Sequence, residues 1–294
     1  MEYRDGMTYE AWVHAAFEPG KPDVSDPRVL AWLIRRNGLE MTHVSHGSHV
    51  GAVFSLAEIM AVLYTRVLRV RPSEPSWPDR DRIILSKGHA GAAMYAALAE
   101  TGFFPVEELR HHYADGSHLS GHVSHRGVPG VEFSTGSLGH GLPVGVGLAM
   151  GARMDGAPWR TFVILGDGEC DEGSVWEAAL EGNQFQLDNL IAVVDHNHMQ
   201  SLDFCEKTLK LEPFDEKWRS FGWHVLRVDG HDTEALEKAF EDAAAHRGSP
   251  SVIIADTVKG KGVSFMENNI LWHYRTPQGE EYEAARRELE AQRP

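Results

Sequence analysis

Only two cysteines occur in 294 residues, Cys170 and Cys205. Two thiols cannot build a disulfide framework and have no zinc-ligand spacing, so both read as free. Long apolar runs are missing as well: nothing approaches the roughly eighteen consecutive apolar residues that a membrane span needs. The opening 30 residues lack the apolar core of a signal peptide, so a soluble, cytoplasmic protein is expected. Positive charge is scarce: 28 Lys and Arg face 43 Asp and Glu, a formal net charge of −15. A nucleic-acid binder needs clustered cations, and that class is excluded. A phosphorylated small ligand remains compatible if a metal or local donors offset the acidity. Repeats and low-complexity tracts are absent, and 42% hydrophobic residues are enough for a sizeable core.

What is present is alternation. Residues 28–70 carry helical apolar spacing broken by His46-Gly47-Ser48-His49-Val50-Gly51, and a surface connection with three prolines follows at 71–78. Short apolar runs at 82–85, 161–165, 190–194 and 251–255 read as buried strands, with helical patterns at 138–154, 174–185 and 233–245 between them. Such runs separated by helices predict an α/β fold, a parallel sheet covered by helices on both faces, in a single domain over 1–294. Ligands of such sheets bind beyond the carboxyl ends of the strands.

Gly166-Asp167-Gly168 directly follows one predicted strand, and Asp195-His196-Asn197-His198-Met199 directly follows the next. On neighbouring parallel strands, Asp167 and Asn197 would project from the same end and grip one hard cation. Magnesium accepts this: it takes one or two protein oxygens together with phosphate oxygens and water. Gly166 and Gly168 leave room for a diphosphate to approach the backbone, and the helix that follows offers N–H groups. Alone, Gly-Asp-Gly is an ordinary turn. With Asn197 beyond the next strand, the pattern resembles the thiamine-diphosphate signature, and Glu169 through Ala178 is similar to its continuation in the diphosphate-binding half of transketolases.

That resemblance implies the thiamine-diphosphate-binding fold and a set of roles. Asp167 and Asn197 would bind the metal (magnesium, or calcium or manganese in its place) through side chains, and Met199 through its carbonyl. Glu172 matches a glutamate at the subunit contact, and Gly136 and Leu138, in a segment similar to Gly-Pro-Leu-Gly-Gln-Gly, would support the cofactor rings. Four histidines fall in matching segments: His49, although Val50 replaces the usual proline; His89, in Ser86-Lys87-Gly88-His89; His122; and His273, which Tyr274-Arg275 follows instead of a glycine-containing turn. Imidazoles suit a ketol transfer, which needs protons placed on and taken from hydroxyls near neutral pH. His122 would contact the donor's hydroxymethyl end, His49 and His273 would handle hydroxyl protons, and His89 would lie between diphosphate and substrate. Lys259-Gly260-Lys261-Gly262 lacks the rest of a phosphate loop and reads as a solvated turn. His111, His112, His118 and His125 show no regular ligand spacing.

The family's second domain binds the aminopyrimidine and carries the glutamate that activates the cofactor. The resemblance therefore implies a separate C-terminal subunit, sugar-phosphate substrates and a dimer of heterodimers. The competing readings are a 1-deoxyxylulose-5-phosphate synthase-like or 2-oxo-acid decarboxylating subunit, and a non-catalytic thiamine-diphosphate-binding assembly subunit.

Overall fold

The computed structural model describes residues 23–294. The reading of the chain's first residues as leaderless falls mostly outside them. Helix α1 (Pro27–Ser45) starts on the Asp26 side chain, which accepts the Arg28 N–H, and ends with His46 in a left-handed conformation. Short helices α2 (Val50–Ser55) and α3 (Ala57–Val62) follow, fully buried. The sheet then begins with β1 (Arg82–Leu85) and helix α4 (Gly91–Glu100). After a long connection come α5 (Gly141–Asp155), β2 (Thr161–Gly166), α6 (Gly173–Gln184) and β3 (Leu190–His196). The chain continues through α7 (Cys205–Thr208), α8 (Phe214–Ser220), β4 (His224–Asp229), α9 (Thr233–Ala245), β5 (Ser251–Asp256) and α10 (Glu280–Glu290).

All strand pairs are parallel, in the order β1-β2-β3-β5-β4. Alternation along each strand feeds two cores. Ile83, Phe162, Ile191 and Ile253 pack with α1–α4, α9 and α10; Ile84, Val163, Val194 and Ile254 pack with α5, α6 and α8. The expected double coverage is thus observed. All four predicted strands form, and each of the three longer ones runs one or two residues further.

Two readings need correction. Strand β4 escaped the sequence pattern because an edge strand is covered less and carries Arg227 among its apolar residues. The helix expected from 138 begins at Gly141, because Gly139 adopts φ 81° and a Cβ there would lie 2.5 Å from Ser174 Oγ. Among the described residues no helix is long and apolar enough to cross a membrane.

Candidate active site

Four strand ends deliver the site. The β2–β3 register pairs Gly166 with Asp195, so Asp167 and Asn197 leave the same sheet edge just beyond that pair. Both are buried. Asp167 Oδ1 accepts the Gly168 N–H at 2.7 Å and Oδ2 accepts the His198 N–H at 2.6 Å. Burial pushes its carboxyl above the usual range, partly offset by His196. A buried carboxylate short of positive charge fits a cation site. Asn197 Oδ1 accepts the Met199 N–H at 3.2 Å, which orients its amide along the same loop.

Gly166 has open space: an added Cβ would meet nothing closer than 3.9 Å. Gly168 is a glycine for another reason, since a Cβ there would come within 2.8 Å of Gln200 Cγ. A 3-10 turn at Gly168–Asp171 follows it, and α6 starts at Gly173, one residue before the expected 174, behind the exposed Glu172.

Two lysines that sequence reasoning passed over enter here. Lys87, beyond β1, is 1% exposed and donates to Asp195 Oδ2 at 2.5 Å. Ser55 and Thr257 donate to the same carboxylate. Burial works to raise the Asp195 pKa, but Lys87 and these donors outweigh it and hold it below the usual value. Lys259, beyond β5, is no solvated turn residue: it is 2% exposed, and its Nζ lies 3.2 Å from the Met199 carbonyl, 3.3 Å from that of Gln200 and 2.7 Å from His273 Nδ1. Burial, reinforced by Lys87, brings its pKa down to about 8. The Met199 carbonyl, expected to ligate a metal, here accepts a hydrogen bond from this ammonium. The signal that could have found both lysines is their place just past predicted strands.

Glu169 ties the two glycine loops together. Its carboxylate accepts N–H groups from Gly139 at 2.9 Å and Gly166 at 3.0 Å, with Ser86 as a third donor. Gly136 and Leu138 sit on this bridged segment. A Cβ on Gly136 would touch His122 Cδ2 at 3.4 Å.

The four histidines converge. Ring centroids lie 4.9 Å apart for His49 and His89, 5.0 Å for His49 and His273, and 5.9 Å for His49 and His122. His49 sits at φ 69°, a left-handed conformation unusual outside glycine, and its N–H donates to the His273 carbonyl at 2.9 Å. Its Nδ1 is buried without a partner among the described residues. Burial, then the neighbouring cations, lowers the pKa of His49 to about 4 and of His273 to about 3, and drives His89 well below its ordinary value. These imidazoles are neutral at pH 7. Lys259, which donates to Nδ1 of His273, leaves the ring proton on Nε2.

The remaining histidines scatter. His111 and His118 line a separate cavity of about 490 Å³, and His112 is buried. The metal-like cluster among the described residues is His196, His198 and Asp256. Arg227 donates to both oxygens of Asp256, at 2.8 and 2.9 Å, which makes this an ion-pair knot behind the Asn197 loop.

A parallel sheet whose strand ends gather a buried carboxylate, an amide, two ammonium groups and open glycine backbone defines a thiamine-diphosphate-binding α/β protein. Residues 28–292 match the family model described as transketolase, thiamine diphosphate binding domain, and the chain belongs to the transketolase family. It is 43% identical over 258 residues to the 6-deoxy-6-sulfo-D-fructose transketolase subunit SqwG of Clostridium sp. (strain MSTE9), across 88% of this chain and 94% of that protein. An apulose-4-phosphate transketolase subunit of Phocaeicola vulgatus is 42% identical over 255 residues, 87% of this chain and 90% of its own. The solved transketolase of Campylobacter jejuni superposes with a TM-score of 0.84 at 29% identity, over 92% of this chain and 43% of that one. The Leishmania mexicana enzyme gives 0.84 and 29%, over 90% and 41%. The chain therefore spans about two fifths of these solved transketolases. It is one subunit of a thiamine-diphosphate-dependent transketolase and so a component of a transferase.

Proposed function

We propose that this chain is the diphosphate-binding subunit of a cytoplasmic two-chain transketolase, built on a single domain, that moves a two-carbon ketol unit from a ketose with a terminal anionic group to an aldose. The observation that carries this reading is the meeting of two groups at one sheet edge: the Asp167–Asn197 loop pair and the histidines gathered around His49.

When bound, thiamine diphosphate supplies the carbon nucleophile and the electron sink for carbon–carbon cleavage. Asp167, Asn197 and the Met199 carbonyl hold a divalent cation, magnesium by the chemistry of the oxygen donors, against the diphosphate. Open backbone at Gly166 admits the anion, and Lys259 adds positive charge beside it. Gly136 and Leu138 support the cofactor rings, and Glu169 fixes their segment relative to Gly166. His49 and His273 move protons at substrate hydroxyls, His122 holds the hydroxymethyl end, and His89 stands between diphosphate and substrate. The depressed pKa values of His49, His89 and His273 leave these rings uncharged at neutral pH, with a ring nitrogen open to accept a hydrogen bond.

A second chain supplies the aminopyrimidine site and an activating glutamate. Glu172 and the 136–141 segment lie beside a cavity of about 650 Å³ lined by Phe133, Gly136, His140, Pro143, Ser174 and Glu177, which supports a subunit contact there and a dimer of heterodimers. The test is reconstitution with the candidate partner, followed by assay of ketol transfer with a phosphorylated or sulfonated ketose against pyruvate decarboxylation. Transfer only by the assembled pair is expected. Robust transfer by this polypeptide alone, or turnover of pyruvate only, overturns the reading.

A further inference from the structure

The segment that carries His273 ends on a side chain that the proposed chemistry leaves unused. Tyr274 is 64% exposed, yet its ring rests on the buried His273 imidazole and the half-buried His49 imidazole, with centroids 4.6 Å and 5.7 Å away, edge-on to both. Its position is built, not incidental. The short helix Ile270–His273 starts on the Asn269 side chain, Trp272 Nε1 donates to the Phe265 carbonyl at 3.0 Å, and the His273 carbonyl accepts the His49 N–H. Gly51 keeps the fit close, since a Cβ there would stand 3.3 Å from the Trp272 carbonyl. The next residue points its charge elsewhere: Arg275 pairs with Glu281 at 3.0 Å and stacks over Trp272. Tyr274 is thus the side chain that this turn presents at the rim of the histidine cluster.

The buried histidines mark where the reacting end of a substrate sits, so the rest of an open-chain sugar must run outward past the exposed ring. We propose that Tyr274 is a specificity-determining residue of the substrate site. Its ring packs against the carbon chain of the ketose as it leaves the histidine cluster, and its hydroxyl hydrogen-bonds a sugar hydroxyl beyond the transferred two-carbon unit. This rests on the transketolase reading of the site.

The effect of removing such a contact depends on substrate length, which a purely structural role does not reproduce. In the complex with the partner chain, hydroxypyruvate with glycolaldehyde forms a short substrate pair that ends before the ring. Fructose 6-phosphate and 6-deoxy-6-sulfo-D-fructose are long donors. Loss of one hydrogen bond in Tyr274→Phe raises KM for the long donor about fivefold, and Tyr274→Ala raises it roughly tenfold or more. Tyr274→Phe, which keeps the ring against His49 and His273, retains wild-type kcat/KM on the short pair, and both variants keep wild-type cofactor affinity by calorimetry. An equal loss on short and long pairs assigns Tyr274 to scaffold or assembly and overturns the proposal, as does no loss on either. The wild-type complex, run alongside, separates the two levels: if it transfers no ketol unit from any donor, the underlying function fails and this inference falls with it.

Discussion

At the residue scale the site divides into groups that hold charge and groups that move protons, and substitution separates them. Asp167→Ala and Asn197→Ala remove the proposed oxygen ligands, so magnesium-dependent thiamine diphosphate affinity in the assembled complex is expected to fall, as read by calorimetry. Unchanged affinity in both removes the metal assignment. His49→Ala and His122→Ala, by contrast, are expected to retain the cofactor while turnover drops about 10²-fold or more, with His111→Ala near neutral as the control. Full activity in all three would return these rings to the scaffold. A different histidine bears on stability. Burial lowers the pKa of His112 to about 4, and its Nε2 has no partner among the described residues. The unfolded chain takes up this proton near pH 6.5 and the folded one near 4. Between those values the unfolded state binds more protons, so stability falls as the pH drops, by at most about 1.4 kcal/mol per pH unit for this group. Denaturant titrations at pH 7 and 5 should show a smaller pH dependence in His112→Leu than in wild type; an identical slope refutes the assignment.

At the scale of elements, legibility followed burial. Strands at 82–85, 161–165, 190–194 and 251–255 were readable because both their faces are covered and their apolar runs are unbroken. Strand β4 was not, since Arg227 leaves its edge to pair with Glu212 and Asp256. The departure of Asp167 and Asn197 from one sheet edge was readable from the two strand ends that precede them. Lys259 was not, because flanking glycines mimic a solvated turn and its burial arises from segments far apart in sequence. What sets that lysine is a chain of contacts through other elements. Arg35 on α1 forms a bidentate pair with Glu58 on α3 at 2.6 Å, Glu58 accepts from His231 Nδ1 at 2.9 Å, and His231 Nε2 accepts the Val258 N–H at 2.8 Å. Burial opposes the Glu58 charge, but Arg35 and His231 prevail and hold its pKa near 2. Glu58→Ala strands the Arg35 guanidinium in a buried site, a loss of about 3–5 kcal/mol by urea unfolding. A loss below about 1 kcal/mol would class the pair with weak surface bridges.

At the scale of the whole molecule, one face gathers exposed apolar side chains. Along α5, Pro143, Val144, Gly147, Leu148, Gly151 and Met154 share one helical stripe, and Met154 is 84% exposed. Leu180 and Phe185, at the neighbouring α6, add exposed apolar surface at 59% and 45%. Around Gly147 and Gly151 an added Cβ would meet nothing within 4 Å. The stripe continues into the 136–141 segment and the cavity beside Glu177, where the proposed second chain meets the cofactor. Contiguous apolar surface of this kind marks a protein contact, and glycine in it lets another backbone approach closely. Gly151→Arg places a long cation on that face without disturbing the core behind it, and replacing a helical glycine favours the helix by about 0.5–1 kcal/mol. The variant is therefore expected to fold with at least wild-type stability but to fail to assemble, which sedimentation or light scattering reads as a lower mass. Ketol transfer should fall with assembly, because the aminopyrimidine end of the cofactor loses its second wall. If Gly151→Arg assembles with wild-type mass and activity, the α5 face is free surface and the contact lies elsewhere.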